Sequence, residues 1–216
     1  MSQPVIAYFY STHSVYAFIG ATRLAKICAA HGCQLLHRPF DLSPVVESSG
    51  ARPFKDRSSG HVAYYFGREI ERWAAFRQVN LMSHRPTCHD NSLALSSGLV
   101  IAAEAEGHDV DALSYEMLRA HWQEDIDLAN PDHLAPIARS VGLDPDPLLA
   151  QALTPAVQAV FDENTRAAKA LSVFGSPTYI LDGDMYYGQD RLELLEHALH
   201  APFPAGTYTH SQKPGA

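Results

Sequence analysis

The chain is poor in cysteine and in positive charge, and it contains no long apolar run. Its three cysteines, Cys28, Cys33 and Cys88, are an odd number and include no Cys-x-x-Cys pair. That excludes a disulfide framework, disfavours dithiol redox chemistry and suits a reducing cytoplasm. Lys and Arg number 16 against 24 Asp and Glu, a net charge of −8 with no basic run, which argues against a nucleic-acid partner. No apolar stretch approaches the ~20 residues of a membrane span. The opening MSQPVIAYFYSTHS has no basic stretch followed by an apolar one, so no secretory leader is expected. What the chain does have is 46% apolar and only 19% charged residues over 216 positions, enough for a packed core in one composite unit.

Residues 5–10, VIAYFY, read as a buried strand. After the polar turn Ser11-Thr12-His13-Ser14, a helical pattern runs to about Ala30 and ends at Gly32. Residues 33–38 read as a second, parallel strand, broken by Asp41 to Pro44. Residues 45–60, rich in Gly, Pro and Ser, are expected to be a loop. Helical periodicity then covers 62–77, 91–106, 109–122, 131–141 and 147–170. Thr178 to Leu181 is strand-like, Asp182-Gly183 closes a hairpin, and Met185 to Tyr187 returns. An amphipathic helix follows over 190–200. The order βαβ, helices, ββα predicts an α/β thioredoxin-like fold with a large all-helical insertion. Residues 1–44 and 165–202 would form the thioredoxin-like part, 45–164 the insertion and 203–216 a frayed tail.

Three places could carry chemistry. Ser14 stands at the start of the first helix, where free N–H groups and the helix dipole stabilise an anion; the bland alternative is a plain N-cap. Ser176-Pro177 precedes the third strand, where a cis bond would turn the backbone edge of Ser176 toward an extended ligand; the alternative is a trans proline opening an edge strand. Tyr187-Gly188-Gln189-Asp190-Arg191 lies between the last strand and the last helix. Gly188 permits close backbone approach there, and Asp190 is either an N-cap or a carboxylate for a ligand ammonium. Twelve histidines fit no standard zinc spacing, so no metal is expected. Tyr65 belongs to an aromatic stretch that is mostly core but could line an acceptor pocket.

Taken together, Ser14-Val15-Tyr16, Arg72-Trp73-Ala74, Asn91-Ser92, Val173 to Thr178 and Gly188 to Leu192 resemble the 2-hydroxychromene-2-carboxylate isomerases, near relatives of the kappa-class glutathione transferases, over residues 5–200. The resemblance implies a DsbA-like thioredoxin fold, glutathione as cofactor, a small aromatic carboxylate as substrate and a homodimer. It further implies that Ser14 touches the glutathione sulfur. Ser176 and Pro177 would pair with the glutathione backbone, and Tyr187, Gly188, Gln189, Asp190 and Arg191 would hold its γ-glutamyl end. The thiolate would add to a conjugated double bond, allow rotation, and leave.

The chain departs from the family's pattern on the acceptor side. Val15 replaces a proline, Ser43 to Val46 holds no lysine, and His89 or Asp90 replaces an aromatic. Asp56-Arg57 stands near an Asn-Arg pair of the family, and Arg57 could fork onto a carboxylate. Asp56, Arg57, Tyr65 and Asn91 are therefore the candidate substrate contacts. Two alternatives remain at this point: a kappa-like transferase that conjugates electrophiles, and a non-redox module that binds extended peptides at the Pro177 edge.

Overall fold

The computed structural model describes residues 3–207, so residues 208–216 of the expected tail lie outside it, and 202–207 hold no regular structure. Strand β1 (Val5–Tyr10) pairs in parallel with β2 (Gln34–Pro39) and antiparallel with β3 (Thr178–Leu181); β3 pairs antiparallel with β4 (Asp184–Tyr187). The sheet order is β2-β1-β3-β4.

β1 is apolar throughout because both of its faces are covered. Ile6, Tyr8 and Tyr10 face a core built with α1 (Val15–His31) and α10 (Leu192–His200). Ala7 and Phe9 alternate to the other face, with Phe40, Val45 and Val173. That second face is closed by α2 (Leu42–Ser48) and by the C-terminal part of α9 (Pro155–Ala170), through Leu42, Val45 and Ala168. Each such side chain, fully buried, contributes ~1.5–3 kcal/mol.

The insertion contains α3 (Ser59–Ala63), a π-helical turn (Tyr64–Arg68), α4 (Glu69–Arg77), α5 (Ala94–Ala105), α6 (Asp111–Glu124), α7 (Pro131–Ser140) and α8 (Pro145–Ala152). Its own core joins Leu99, Leu113, Met117, Leu134 and Leu148 to Val157 and Phe161 of α9. The helix α9 thus runs unbroken through the expected boundary at 164/165. Its start packs in the helical unit and its end packs under the sheet.

Three local expectations are corrected. Residues 45–60 are not a loop: α2 runs to Ser48, capped by Asp41, whose side chain accepts from Ser43 N–H at 3.3 Å. Pro44 is tolerated because it lies in the first turn, where N–H groups have no helical partner. A 3₁₀ turn (Phe54–Asp56) follows, and then α3, which Ser58 caps. Second, 147–170 is two helices. Thr154 caps α9 and Pro155 opens it, so the chain breaks after Ala152. Third, Asp190 is not an N-cap. A 3₁₀ turn already begins at Gln189, so Asp190 lies inside helical backbone.

Candidate active site

The turn Ser11 to Ser14 is fastened at every residue. Ser11 N–H donates to Ser176 Oγ at 2.9 Å, and Thr12 Oγ1 meets Ser96 Oγ of α5 at 2.8 Å. The carbonyl of His13 accepts from the indole N–H of Trp122 at 2.8 Å. Ser14 caps α1, its oxygen accepting from Ala17 N–H at 3.2 Å, and its hydroxyl donates to the carbonyl of Ser176 at 3.3 Å. Ser14 is therefore a cap, and its hydroxyl also faces the residue before Pro177. The two serines are 8% and 9% exposed, so the pair sits at the floor of the surface and not on it.

The Ser176–Pro177 bond is cis. The carbonyl of Pro177 accepts from Gly188 N–H at 2.8 Å, which joins this segment to the Tyr187–Arg191 segment. At Gly188, φ is +95°, a conformation strained for any side chain, and a Cβ there would in addition have to displace the Asp190 carboxylate, 2.4 Å away. The result is a cleft of about 210 Å3 lined by Tyr16, Tyr65, Ser176, Tyr187 and Asp190, with Glu69 and Trp73 on its insertion side. Gly188, Gln189 and Arg191 complete it. Six of the seven residues assigned above to the two glutathione-binding segments thus share one cleft, with Ser14 bonded to its edge.

Aromatic rings form one wall. Tyr16 OH donates to the carbonyl of Tyr65 at 2.5 Å, and the hydroxyls of Tyr65 and Tyr187 are 3.3 Å apart. Phe174 packs on Tyr187 with ring centroids at 4.5 Å. Burial pushes the phenols of Tyr16 and Tyr65 well up, so both stay protonated donors at neutral pH. The Asp190 carboxylate pairs with Arg191 on its own turn.

Tyr65 is the only one of the four expected substrate contacts that lines the cleft. Arg57 is spent elsewhere: its guanidinium lies over Phe54, 4.2 Å from the ring centroid, and contacts His61 Nε2 at 3.3 Å. Asp56 is an exposed member of the 3₁₀ turn beside it. The Asn91 amide donates to Asp127 at 3.0 Å, between the loop before α5 and the segment after α6. Only the Asn91 placement follows from a contact distant in sequence, to which local pattern is blind; Arg57 and Asp56 are placed by neighbours within four residues.

Arg77 and Glu69 carry no motif, yet Glu69 lines the cleft and Arg77 holds Gln189. Tyr16 was the nearest to a visible signal, standing two positions after Ser14 at the helix start. Among the described residues, no group of three or more His, Cys, Asp or Glu is placed to hold a metal ion, and no helix is long and apolar enough to cross a membrane.

A family model of the DSBA-like thioredoxin domain matches residues 5–200. The chain belongs to the DsbA-like thioredoxin family. Within that family it is 27% identical over 195 residues to a 2-hydroxychromene-2-carboxylate isomerase of Sphingobium xenophagum, covering 90% of this chain and 97% of that protein. It is 24% identical over 204 residues to glutathione S-transferase kappa 1 of Homo sapiens, covering 88% of each. A solved 2-hydroxychromene-2-carboxylate isomerase superposes with a TM-score of 0.75 at 24% identity, over 91% of this chain and 94% of that one. The DsbA-like frame is thus shared, while a Cys-x-x-Cys pair is absent from this sequence.

Proposed function

We propose that this chain is a glutathione-dependent isomerase of the 2-hydroxychromene-2-carboxylate isomerase type. The observation that carries the reading is the 3.3 Å contact between Ser14 Oγ and the carbonyl of Ser176 at the edge of the Tyr187–Arg191 cleft. In this reading the tripeptide lies extended against Ser176, its γ-glutamyl ammonium toward Asp190 and its sulfur at Ser14. The cleft is small beside ordinary ligand pockets of ~300–1,000 Å3, so part of the tripeptide lies over the rim.

The chain's own groups suit a thiolate. The start of α1 offers free N–H groups and a partial positive charge, which lower a thiol's pKa from ~8.5. The Ser14 proton would turn from the Ser176 carbonyl to the sulfur. The thiolate then forms a C–S bond to a carbon of the acceptor's conjugated C=C, and the electron pair moves to the conjugated carbonyl oxygen. The former double bond is now single and rotates. The electron pair returns, the C–S bond breaks, and glutathione leaves unchanged. Holding the two reactants together is the larger part of what the protein contributes.

Calorimetric titration with glutathione tests this. Binding to the wild type at millimolar or lower concentration is expected, weakened in Ser14→Ala and more strongly in Asp190→Ala. No heat with the wild type at millimolar glutathione removes the reading. A kappa-type transferase is the second reading, favoured by Arg57 and Asn91 lying outside the cleft. Product analysis separates the two, because a transferase consumes glutathione and an isomerase returns it.

A further inference from the structure

Three histidines adjoin the Ser14 turn in one hydrogen-bond chain, and the chain fixes where their protons are. At its end, Nδ1 of His121 lies 2.9 Å from the carbonyl of Ile126 and must donate to it. Nε2 of His121 is then the acceptor for Nδ1–H of His89, 2.9 Å away. Nδ1 of His13 lies 3.1 Å from the carbonyl of His89 and is likewise a donor. In neutral rings this leaves Nε2 of His13 and Nε2 of His89 as bare lone pairs. Neither atom has a hydrogen-bond partner among the described residues, and both residues are partly exposed. The two rings stack with centroids 4.2 Å apart and planes 8° from parallel.

The surroundings keep these rings uncharged. Burial is the main cause, lowering His13 to about 4 and His89 to about 2, and it lowers His121 as well. The charges facing His13 and His89 are Arg85 and Asp90, which pair with each other; those facing His121 are Asp125, Asp127 and Arg85. At pH 7 a group titrating near 4 is neutral by roughly a thousandfold.

We propose that His13 and His89 form a specificity wall beyond Ser14, taking an uncharged hydroxyl donor of the acceptor substrate and turning away a carboxylate. Its position beyond the sulfur rests on the glutathione reading above; the recognition chemistry does not. A hydroxyl can donate to either lone pair. A carboxylate has only lone pairs to offer, and a bare imidazole nitrogen repels them. The occupant is a phenolic, enolic or alcoholic group, and a substrate's carboxylate would have to lie away from this wall.

The test is long-range proton–nitrogen NMR on the full chain with nitrogen-15 histidine at pH 7, titrated with phenol, anisole and benzoate. Nε2 of His13 and of His89 should resonate as unprotonated nitrogens and move with phenol only. His89→Phe, checked for native circular dichroism, should weaken phenol about tenfold, the worth of one good hydrogen bond. Protonated Nε2 atoms at pH 7, no movement with phenol, or equal movement with benzoate would each overturn the proposal, and none of them needs a folded variant. Calorimetry with glutathione on the same sample keeps the two readings apart. No glutathione heat alongside an intact phenol response removes the glutathione site and leaves the wall, and the reverse pattern does the opposite.

Discussion

Arg77 and Gln189 are joined twice. The Nε–H of Arg77 donates to the Gln189 side-chain oxygen at 3.1 Å, and an Nη2–H donates to the Gln189 backbone carbonyl, also at 3.1 Å. The same guanidinium forks onto Glu193 at 2.6 and 3.0 Å. One side chain of α4 thereby fastens the Gln189 turn, so a helix of the insertion sets the shape of a cleft wall on the thioredoxin-like part. Arg77→Met keeps an apolar stem beside Trp73 and Phe76 but leaves the buried Gln189 groups unpaired, at a cost of ~1–3 kcal/mol. The urea midpoint should fall accordingly, and glutathione affinity should fall with it. Arg77→Lys should restore part of the stability and little of the affinity, since an ammonium cannot make the fork.

Gly175 is required by the Tyr187 ring. A Cβ on residue 175 would stand 2.3 Å from Cε2 and 2.7 Å from the hydroxyl of Tyr187. In Gly175→Ala the ring must move, and with it go the Tyr65 contact and the packing on Phe174. A stability loss of ~1–3 kcal/mol is expected, the usual range for overpacking, together with weaker glutathione binding. In a Tyr187→Ala background the same alanine should cost little. A double-mutant cycle by urea denaturation decides it, because equal costs in both backgrounds would mean that the ring is not the obstacle.

Much of this frame was legible from local pattern. Strand β1, helix α1 with its Gly32 end and the Asp182-Gly183 hairpin have short-range signals and are present, whereas the cis bond at Pro177, also present, is favoured by the thioredoxin-like order of elements and not by local pattern. The break at Thr154-Pro155 also had its signal, a capping residue followed by proline, but helical periodicity on both sides masked it. The cleft of Ser176 and Tyr187 to Arg191 could be anticipated because its parts are two short segments flanking one hairpin. The histidine chain could not. His13, His89 and His121 come from three separate stretches, and only the folded chain puts His13 against the 79–93 connection. Arg57 looked free to bind a carboxylate because sequence does not show that Phe54 and His61 already hold it.

The Cys28 thiol should be inert in the native state. Burial pushes Cys28 up to about 12, with Cys33 nearby adding to the shift, and burial also raises Cys33 and Cys88. At pH 8 Cys28 should resist iodoacetamide in buffer and react at the rate of an ordinary thiol in guanidinium chloride. Mass spectrometry of peptides quenched at intervals reads this directly. Rapid native labelling of Cys28 would show that the packing of α1 against the sheet is looser than described.

Acid should weaken the fold earlier than the carboxylates alone would cause. His13 and His89 titrate far below the ordinary 6.5 of histidine when folded, to about 4 and about 2, chiefly because burial disfavours their charged forms. The unfolded chain therefore binds more protons than the native one once the pH drops below 6.5. Stability from these groups is complete above that pH and is lost as the pH falls through 6.5 toward 4 and lower. Each contributes a slope approaching about 1.4 kcal/mol per pH unit in that window. Glu193, Asp90 and Asp125, all held low by hydrogen bonds from Arg77, Arg85 and Thr87, act in the same direction, but only below the ordinary carboxylate range. The interval from pH 6.5 to 5 thus separates the two sources. Urea midpoints measured there should fall with acid in the wild type, and the fall should be shallower by one histidine's share in His89→Phe; an unchanged slope in that variant would place the acid sensitivity elsewhere.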